Sequence, residues 1–521
     1  MYVSIFEIIG PVMLGPSSSG TAGMAKIGAV AHEFVEGAIR SVQILFHPRH
    51  YEGYTGCRSH LALLGGALGL SLDQADMKHS LDIAKQRGIE VKVGFFAPPL
   101  PENGLTAEVT IATREGKQCC IRGVSLGGGM IEIIGVDRFP VELVNTEGYL
   151  FAWSEKDLTE ELQQMIDTKR QRVGCSCGGE ELLYYINGSG QEVKDLREKV
   201  ALLSGVRRTV CIKPILTYGF VPHEALFTTC EELCGLERKS GVTVPRLALE
   251  YERVRSGRSV GEIRSDMTEQ LKVMRESCER GLQSVNKPLY GFTKGDTGIR
   301  LQRAVKEGKT LGGILPRAVS KALAVMDVGM SMGTVVAAPT GGSCGILPGC
   351  LLAAQEEYGF SDENLVEAMF AAAAMGVVMR YKSVVMSGMG GGCQGEIGVS
   401  SAMAASALTY LGGGSGGQIC HAMALALKGL MGLICDPIGA NSEIPCIKRN
   451  GSGVANAFSA ADMALAGIES YIPPDEVIDA LVDAQKRMPP ELRCGCGGLF
   501  STRTAAAARE EEKRLDELIR L

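Results

Sequence analysis

Hydrophobic and polar positions along the first part of the chain follow strand patterns. Runs rich in β-branched and aromatic residues at strand length occupy residues 41–46 and 91–96. Two further runs, 107–113 and 118–125, flank the short turn Arg-Glu-Gly-Lys, which predicts a β-hairpin. Because helical periodicity is mixed with these strands, residues 1–150 are predicted to form a layered α/β sheet domain.

The pattern becomes helical almost throughout after residue 226. Two pairs have the spacing of a helix capping box, Thr228 with Glu231 and Ser259 with Glu262. Behind the second pair, apolar residues recur at helical intervals: Ile263, Met267, Leu271 and Met274. Residues 226–521 are therefore predicted to form a mostly all-α domain. Residues 151–225 show no clear pattern and are interpreted as a connector, so the predicted fold class is α+β multidomain.

Composition and charge narrow the class of partner. The chain has 521 residues, of which 45% are hydrophobic, enough for two or three domains with substantial cores. A net charge of -6 and the lack of a basic block argue against nucleic acid and favour a small molecule. The 17 cysteines, the absence of a secretory pattern at the start and of an apolar run long enough for a bilayer indicate the reducing cytoplasm and no membrane.

Three cysteines stand in loops broken by glycine and proline between apolar helical segments. Cys393 lies in Gly-Gly-Gly-Cys-Gln-Gly-Glu, Cys435 opens Cys-Asp-Pro-Ile-Gly, and Cys446 ends Glu-Ile-Pro-Cys. Glycine lets the backbone approach a bulky inorganic group. A cluster held by three thiolates keeps one iron open, which suits Lewis-acid catalysis better than electron transfer. The alternative is that these cysteines are ordinary small buried hydrophobic residues.

Several colinear motifs resemble the iron-sulfur-dependent L-serine dehydratases, in the order of a fused β domain and α domain. They are Gly-Pro-Ser-Ser-Ser at 15–19, Ala-Pro-Thr-Gly-Gly-Ser-Cys-Gly-Ile-Leu-Pro-Gly at 338–349, Cys-Gln-Gly-Glu-Ile-Gly, Cys-Asp-Pro and Pro-Cys-Ile-Lys-Arg-Asn. The resemblance implies a [4Fe-4S] cluster on Cys393, Cys435 and Cys446, with the open iron binding the substrate hydroxyl. It further implies deamination of L-serine, or a related β-hydroxy or β-substituted amino acid, to a 2-keto acid and ammonia. The expected setting is amino-acid degradation and gluconeogenesis, carried out by a cytoplasmic homodimer.

The resemblance also implies which loops hold the substrate. The serine loop of the β domain contributes Ser17, Ser18, Ser19 and Thr21, and the α domain contributes Thr340, Ser343 and Ser387. The residue that removes the α-proton is not identified. Hydroxyls would need activation to do so, and His60 and His421 are expected to be structural.

The β-domain loops depart from the family pattern. Gly20 stands where the family has His after the serine triplet, and Gly-Cys-Arg-Ser-His at 56–60 replaces a Gly-His motif that ends in Thr-Asp. We interpret these changes as altered recognition, in which Arg58 pairs with an additional acidic group of the substrate. The alternative for Arg58 is a solvated side chain.

Two other functions stay open at this point. A homologue that has lost turnover would act as a sensor or scaffold. A pyridoxal-phosphate dehydratase is the other alternative, although the chain has no Ser-Phe-Lys-type motif, and three glycines at 127–129 are weak evidence for a phosphate cup.

Two cysteine pairs have no assigned role. Cys175 and Cys177 lie in the connector, Cys494 and Cys496 lie near the end, and two glycines follow each pair. Four such thiols could form a zinc site if the two segments met. Some family members place a C-terminal cysteine in the cluster, so the second pair is also a candidate for a fourth ligand.

Overall fold

The computed structural model follows the predicted order of a sheet-rich part and a mostly helical part. It describes residues 3–47, 56–71, 75–96, 105–127, 129–144, 148–168, 171–188, 190–213, 224–438, 442–493 and 497–510. The α+β fold class is confirmed.

Twelve strands are present in the described residues. In chain order they are β1 (Val12–Leu14), β2 (Ile39–Phe46), β3 (Glu90–Phe95), β4 (Leu105–Thr113), β5 (Gln118–Gly127), β6 (Met130–Val136), β7 (Phe139–Val144), β8 (Gly148–Ser154), β9 (Val173–Gly178), β10 (Glu181–Gly188), β11 (Val206–Ile212) and β12 (Thr334–Val336).

Helices alternate with the early strands and then dominate the chain. In chain order they are α1 (Ile5–Ile8), α2 (Met24–Glu33), α3 (Ser59–Ala67), α4 (Ser80–Gln86), α5 (Thr159–Met165), α6 (Gly190–Val200), α7 (Cys230–Ser240), α8 (Val244–Ser256), α9 (Val260–Gln283), α10 (Thr297–Lys306), α11 (Ile314–Met330), α12 (Ile346–Tyr358), α13 (Asp362–Tyr381), α14 (Gly388–Gly391), α15 (Ile397–Leu411), α16 (Gly416–Leu430), α17 (Cys446–Leu465) and α18 (Pro474–Arg487). Among the residues that the structure describes, no helix is both long and apolar enough to cross a membrane.

A six-stranded mixed sheet forms the first layer of the sheet-rich part. Its strand order is β3-β2-β4-β5-β6-β7, and β2 and β3 run parallel. The predicted hairpin is confirmed, because β4 and β5 pair antiparallel from Leu105 opposite Ser125 to Ala112 opposite Gln118. Helices α2 and α3 pack closely together, since Gly28 and Gly66 each lie directly against the backbone of the other helix. Their apolar faces cover this sheet and form its core.

The segment interpreted as a connector carries a sheet of its own. Strands β8 to β11 pair in the order β11-β8-β10-β9, and with α5 and α6 they give the β-α-β-β-α-β sequence of a ferredoxin-like unit. One face of this sheet has a separate apolar core with the two helices. The other face contacts the end of α2, where the ring of Phe34 packs on Phe151 and Trp153.

The first described residues join the helical part instead of the first sheet. Strand β1 pairs antiparallel with β12, with Val12 opposite Val336. Just before it, the Ser4 hydroxyl and the Ile5 N–H donate to the Glu252 carboxylate over 3.0 and 3.1 Å. The chain therefore passes from the helical core into the sheet-rich part at the serine loop.

One predicted capping box is confirmed and the other is wrong by one residue. Ser259 and Glu262 cap α9 reciprocally, and the apolar residues predicted behind them are buried. The cap of α7 is Thr229, whose hydroxyl accepts from the Glu232 N–H, whereas Thr228 binds the Glu232 carboxylate. Two threonines precede two glutamates here, so Thr228 with Glu231 and Thr229 with Glu232 have the same spacing. The spacing alone does not select one of the two pairs.

Candidate metal centre

Three different loops bring the thiols of Cys393, Cys435 and Cys446 together in the interior of the helical part. Cys393 begins a short turn before α15, Cys435 follows α16, and Cys446 is the first residue of α17. All three are buried. Hydrogen bonds with the Cys435 and Cys446 thiols lower the pKa of the Cys393 thiol well below its ordinary value. The neighbouring Cys393 and burial raise the pKa of the Cys446 thiol, so the proton sharing favours the thiolate at Cys393. Three buried thiols grouped in this way are a ligand set for a soft metal.

Glycines keep the space beside these thiols free of side chains. A Cβ atom at Gly388 would lie 2.6 Å from the Cys435 sulfur and 2.7 Å from a Glu396 carboxylate oxygen. Gly392, just before Cys393, has a φ of +76°, which other residues rarely adopt. Ligand atoms of Cys393, Glu396 and Cys435 all lie within 4.8 Å of one another. The donor atoms, and a backbone that approaches them closely without a side chain, fit a metal or an inorganic cluster.

Arg449 supports the thiols from the first turn of α17. Its Nη1 lies 3.6 Å from the Cys393 sulfur and donates to the Ile434 carbonyl over 3.0 Å. The same group pairs with the Asp436 carboxylate at 2.7 Å. A guanidinium in this position offsets the negative charge of a thiolate and fixes the loop that carries Cys435.

The loop at 338–345 lies directly beside the thiols. The Thr340 hydroxyl is 3.1 Å from the Ser343 hydroxyl and donates to Glu396, and both hydroxyl residues are buried. Burial raises the pKa of Glu396 to about 8, and the neighbouring Cys393 adds to this shift. Asn450 joins the loop to the metal centre, because its Nδ2 donates to the carbonyls of both Gly342 and Cys446 at 2.9 Å.

The serine loop meets this loop from the sheet-rich part. A Cβ at Gly341 would lie 3.0 Å from the Ser18 nitrogen, so the two backbones are in contact. Ser17 caps the wide helical turn Ser18–Gly23, and its hydroxyl lies 3.2 Å from that of Ser19. The structure therefore brings the serine loop, Thr340 and the three thiols into one region.

Comparison with known proteins agrees with this geometry. The family model for the serine dehydratase alpha chain matches residues 239–499, which is half of the chain. The chain belongs to the serine dehydratase family. The resemblance read from the motifs is thereby confirmed.

Relatives of this serine dehydratase family member match either about half of the chain or nearly all of it. The probable L-serine dehydratase alpha chain of Bacillus subtilis is 40% identical over 292 residues, which are 56% of this chain and 95% of the relative. The L-serine dehydratase alpha chain of Peptoniphilus asaccharolyticus is 36% identical over 292 residues, or 55% of this chain and 98% of the relative. The L-serine dehydratase TdcG of Escherichia coli is 30% identical over 504 residues, or 94% of this chain and 97% of the relative. Similarity to the last of these spans both parts of the chain.

The departures of this serine dehydratase family member at Gly20 and Cys57 are in contact with each other. A Cβ at Gly20 would lie 2.6 Å from the Cys57 Cβ and 2.8 Å from its sulfur. The Thr21 hydroxyl donates to the Cys57 carbonyl, and the Ser59 hydroxyl donates to the Gly20 carbonyl. A larger residue at position 20 therefore requires a change at position 57, so the two replacements form one structural unit.

Arg58 is buried, so the alternative of a solvated side chain is wrong. Only 6% of the residue is exposed, and its guanidinium lies 4.8 Å from the centre of the Tyr290 ring. Its φ of +52° turns the chain into α3. Arg58 adjoins Cys57 and thus the serine loop, while Ser387 lies at the junction with the first sheet, against Gly127.

The remaining candidates are the two histidines and the two cysteine pairs. His421 accepts a hydrogen bond from the Ser470 N–H, in keeping with its expected structural role, and His60 is half-buried in α3. Cys175 and Cys177 are exposed on β9. Cys494 and Cys496 fall outside the described residues.

Sequence reasoning assigned no role to Glu396, Arg449 and Asn450. A usable signal existed for all three, because Glu396 lies one helical turn beyond Cys393, and Arg449 and Asn450 follow Cys446 at helical spacing.

Proposed function

We propose that the chain is an iron-sulfur-dependent ammonia-lyase. Its substrate would be L-serine or a related β-hydroxy or β-substituted amino acid, and its products a 2-keto acid and ammonia. The observation that carries the proposal is the convergence of three buried thiols beside the loop of Thr340. The relatives named as L-serine dehydratases support the reaction class.

The proposal assigns a [4Fe-4S] cluster to Cys393, Cys435 and Cys446. When bound through three protein thiolates, such a cluster supplies a Lewis-acid iron that polarises the substrate hydroxyl. The chain's own residues do the rest of the binding. Hydroxyls and backbone amides of the two loops, including Ser17, Ser18, Ser19, Thr21, Thr340 and Ser343, with Ser387 at the edge, would orient the amino-acid carboxylate. Burial of the region would exclude water and strengthen these contacts.

Specificity is assigned to Arg58. A buried guanidinium beside the serine loop favours a substrate that carries an additional anionic group, because a charge-assisted hydrogen bond is strong where water is excluded. Plain L-serine would then be the poorer substrate. The proposal also includes a cytoplasmic location and a homodimer, and light scattering of the purified protein tests the latter.

The test begins with anaerobic reconstitution with iron and sulfide. Wild-type protein should bind iron and sulfide and release ammonia and a keto acid from at least one amino acid in a panel of serine, threonine and β-substituted acidic analogues. Cys393→Ala, Cys435→Ala and Cys446→Ala should each lose most of the iron. Cys344→Ala is the matched control, since Cys344 is buried in the adjacent loop but contacts Met326 instead of the thiols.

Each outcome of this test separates the alternatives. Full iron retention in a folded cysteine variant would remove that residue from the ligand set. A loaded protein that turns over no amino acid would support the sensor alternative, and full activity in air with a chelator would support pyridoxal phosphate. Arg58→Ala should lower the specificity constant for the acidic analogue about tenfold to a hundredfold and leave serine turnover nearly unchanged. Equal effects on both substrates would contradict the role of Arg58.

A further inference from the structure

A second group of three cysteines lies in the helical part, outside the candidate metal centre. Cys230 and Cys234 are one helical turn apart on α7, and Cys420 is on α16. The sulfur atoms of Cys234 and Cys420 are 3.6 Å apart, and the Cys420 thiol also contacts that of Cys230. Neither the proposed reaction nor the proposed cluster uses these thiols.

Three hydrogen bonds fix α7 near this contact, one to α16 and two to α18. The Glu237 carboxylate accepts from the Gly416 N–H over 2.9 Å, one turn away from Cys234 and Cys420 on both helices. At the other end of α7, Asp475 accepts from the N–H groups of Cys230 and Glu231. The hydrogen bond between Glu237 and Gly416 therefore fixes α7 against α16 one turn from the two sulfur atoms, and a bond between these atoms requires side-chain rotation more than helix movement.

The members of this cysteine group differ in access to solvent. Cys230 and Cys420 are buried, whereas Cys234 is half-buried and precedes Gly235, whose Cβ position faces open space. A hydrogen bond from the Cys420 thiol lowers the pKa of Cys234, and the positive charge of Arg238 acts in the same direction. Because the thiolate is the reactive form, Cys234 is the member most suited to attack a reagent from solvent.

We propose that Cys234 and Cys420 form a reversible disulfide, with Cys234 as the attacking group. The oxidant is a low-molecular-weight disulfide, RSSR. The Cys234 thiolate attacks one of its sulfur atoms, the S–S bond breaks, and one RS⁻ leaves and takes up a proton. Cys420 then gives up its proton and attacks the Cys234 sulfur, so that the second RSH leaves. In sum, two cysteine thiols are oxidised to one disulfide and RSSR is reduced to two RSH.

The cross-link would join α7 to the helix that leads to the metal centre. After α16 ends, the Gly432 N–H donates to the Gln394 side chain, and the Gln394 N–H donates to the Leu433 carbonyl. The bond would also close a loop between positions 186 residues apart in sequence. A loop of that length restricts the unfolded chain strongly, so the oxidised protein should unfold at a higher temperature.

The experiment treats the purified full-length protein with oxidised glutathione under anaerobic conditions. Free thiols are then alkylated, and the peptides are mapped by mass spectrometry without reduction. Wild type should yield a cross-linked pair of peptides that contains Cys234 and Cys420, and both of these thiols should return with dithiothreitol. The midpoint of thermal unfolding should rise by about 5 °C on oxidation. Cys350, which is buried, serves as the internal control and should stay free.

Two matched variants distinguish the attacking cysteine from its neighbour. Cys230→Ser should form the cross-link at the wild-type rate, whereas Cys234→Ser should lack the cross-link, and its Cys420 should be oxidised at least tenfold more slowly than Cys420 of wild type. The proposal is overturned if both thiols of wild type stay free, if the mapped bond joins other cysteines, or if Cys234→Ser is oxidised as fast as wild type. Because Cys234 is half-buried, its serine variant is expected to fold, and the wild-type map alone already decides the pairing.

Discussion

Lys26 is a charged residue that the fold buries completely. Its Nζ donates to the Gly129 carbonyl at 2.5 Å, and burial lowers its pKa to about 8, opposed by the charge of Glu7. In the unfolded chain a lysine has a pKa of about 10.4. Between these two values the unfolded state binds more protons than the folded state, so wild-type stability should rise with pH across this window, by up to about 3 kcal/mol.

Lys26→Met removes that titration. The free energy of unfolding of wild type, minus that of the variant, should therefore increase between pH 7.5 and 10. Urea denaturation at each pH measures both values. The exposed Lys199→Met provides the control and should follow wild type. Parallel curves for wild type and Lys26→Met would contradict the lowered pKa of the buried lysine.

At the scale of single residues, the grouping of the three cysteines could be predicted from the sequence, whereas the contacts around them could not. Each thiol stands in a motif with glycine or proline, whereas the contact between Gly20 and Cys57 joins two loops that are far apart in sequence. Sequence reasoning noted both replacements but had no physical basis for pairing them. The burial of Arg58 against Tyr290 likewise depends on a contact across domains.

At the scale of elements, the cap of α9 is a local structure that the sequence predicted correctly. The Ser259 hydroxyl accepts from the Glu262 N–H, and the Glu262 carboxylate binds the Ser259 backbone. Ser259→Ala should lower the free energy of unfolding by about 1 kcal/mol, and Ser259→Gly by only a few tenths. Urea denaturation of both variants measures the difference. Equal losses in the two variants would point to a tertiary contact of the side chain instead of the cap.

Elements that depend on distant partners were harder to predict. Strand β9 contains glycine and cysteine in place of β-branched residues, and it forms because it pairs with β10 along its whole length. The cap of α7 falls on Thr229 because Asp475, far along the chain, binds the next two N–H groups. Periodicity and local spacing carry no information about such partners.

At the scale of the whole molecule, the N-terminal segment links the helical core to the serine loop. Ser4 and Ile5 bind Glu252, β1 pairs with β12, and the serine loop follows directly. Glu252 also forms a two-point ion pair with Arg255, in which both side chains are almost fully buried. This anchor holds the serine loop against Gly341, so its loss should affect the site as well as stability.

Removal of the Glu252 charge tests whether the N-terminal segment holds the serine loop in place. Glu252→Leu removes the carboxylate that forms the two-point ion pair with the buried Arg255 guanidinium, a change that typically costs about 3 to 5 kcal/mol. Replacement of both residues in Glu252→Leu/Arg255→Met should recover much of the loss, because apolar side chains of similar size carry no desolvation penalty. Thermal unfolding measures the recovery.

In the double variant the contacts to Ser4 and Ile5 are still missing, so the Michaelis constant of the amino-acid substrate should stay raised even where stability returns. If stability and the Michaelis constant recover together, the N-terminal segment supports the fold alone, and the serine loop is held in place by its contacts with Gly341 and Cys57.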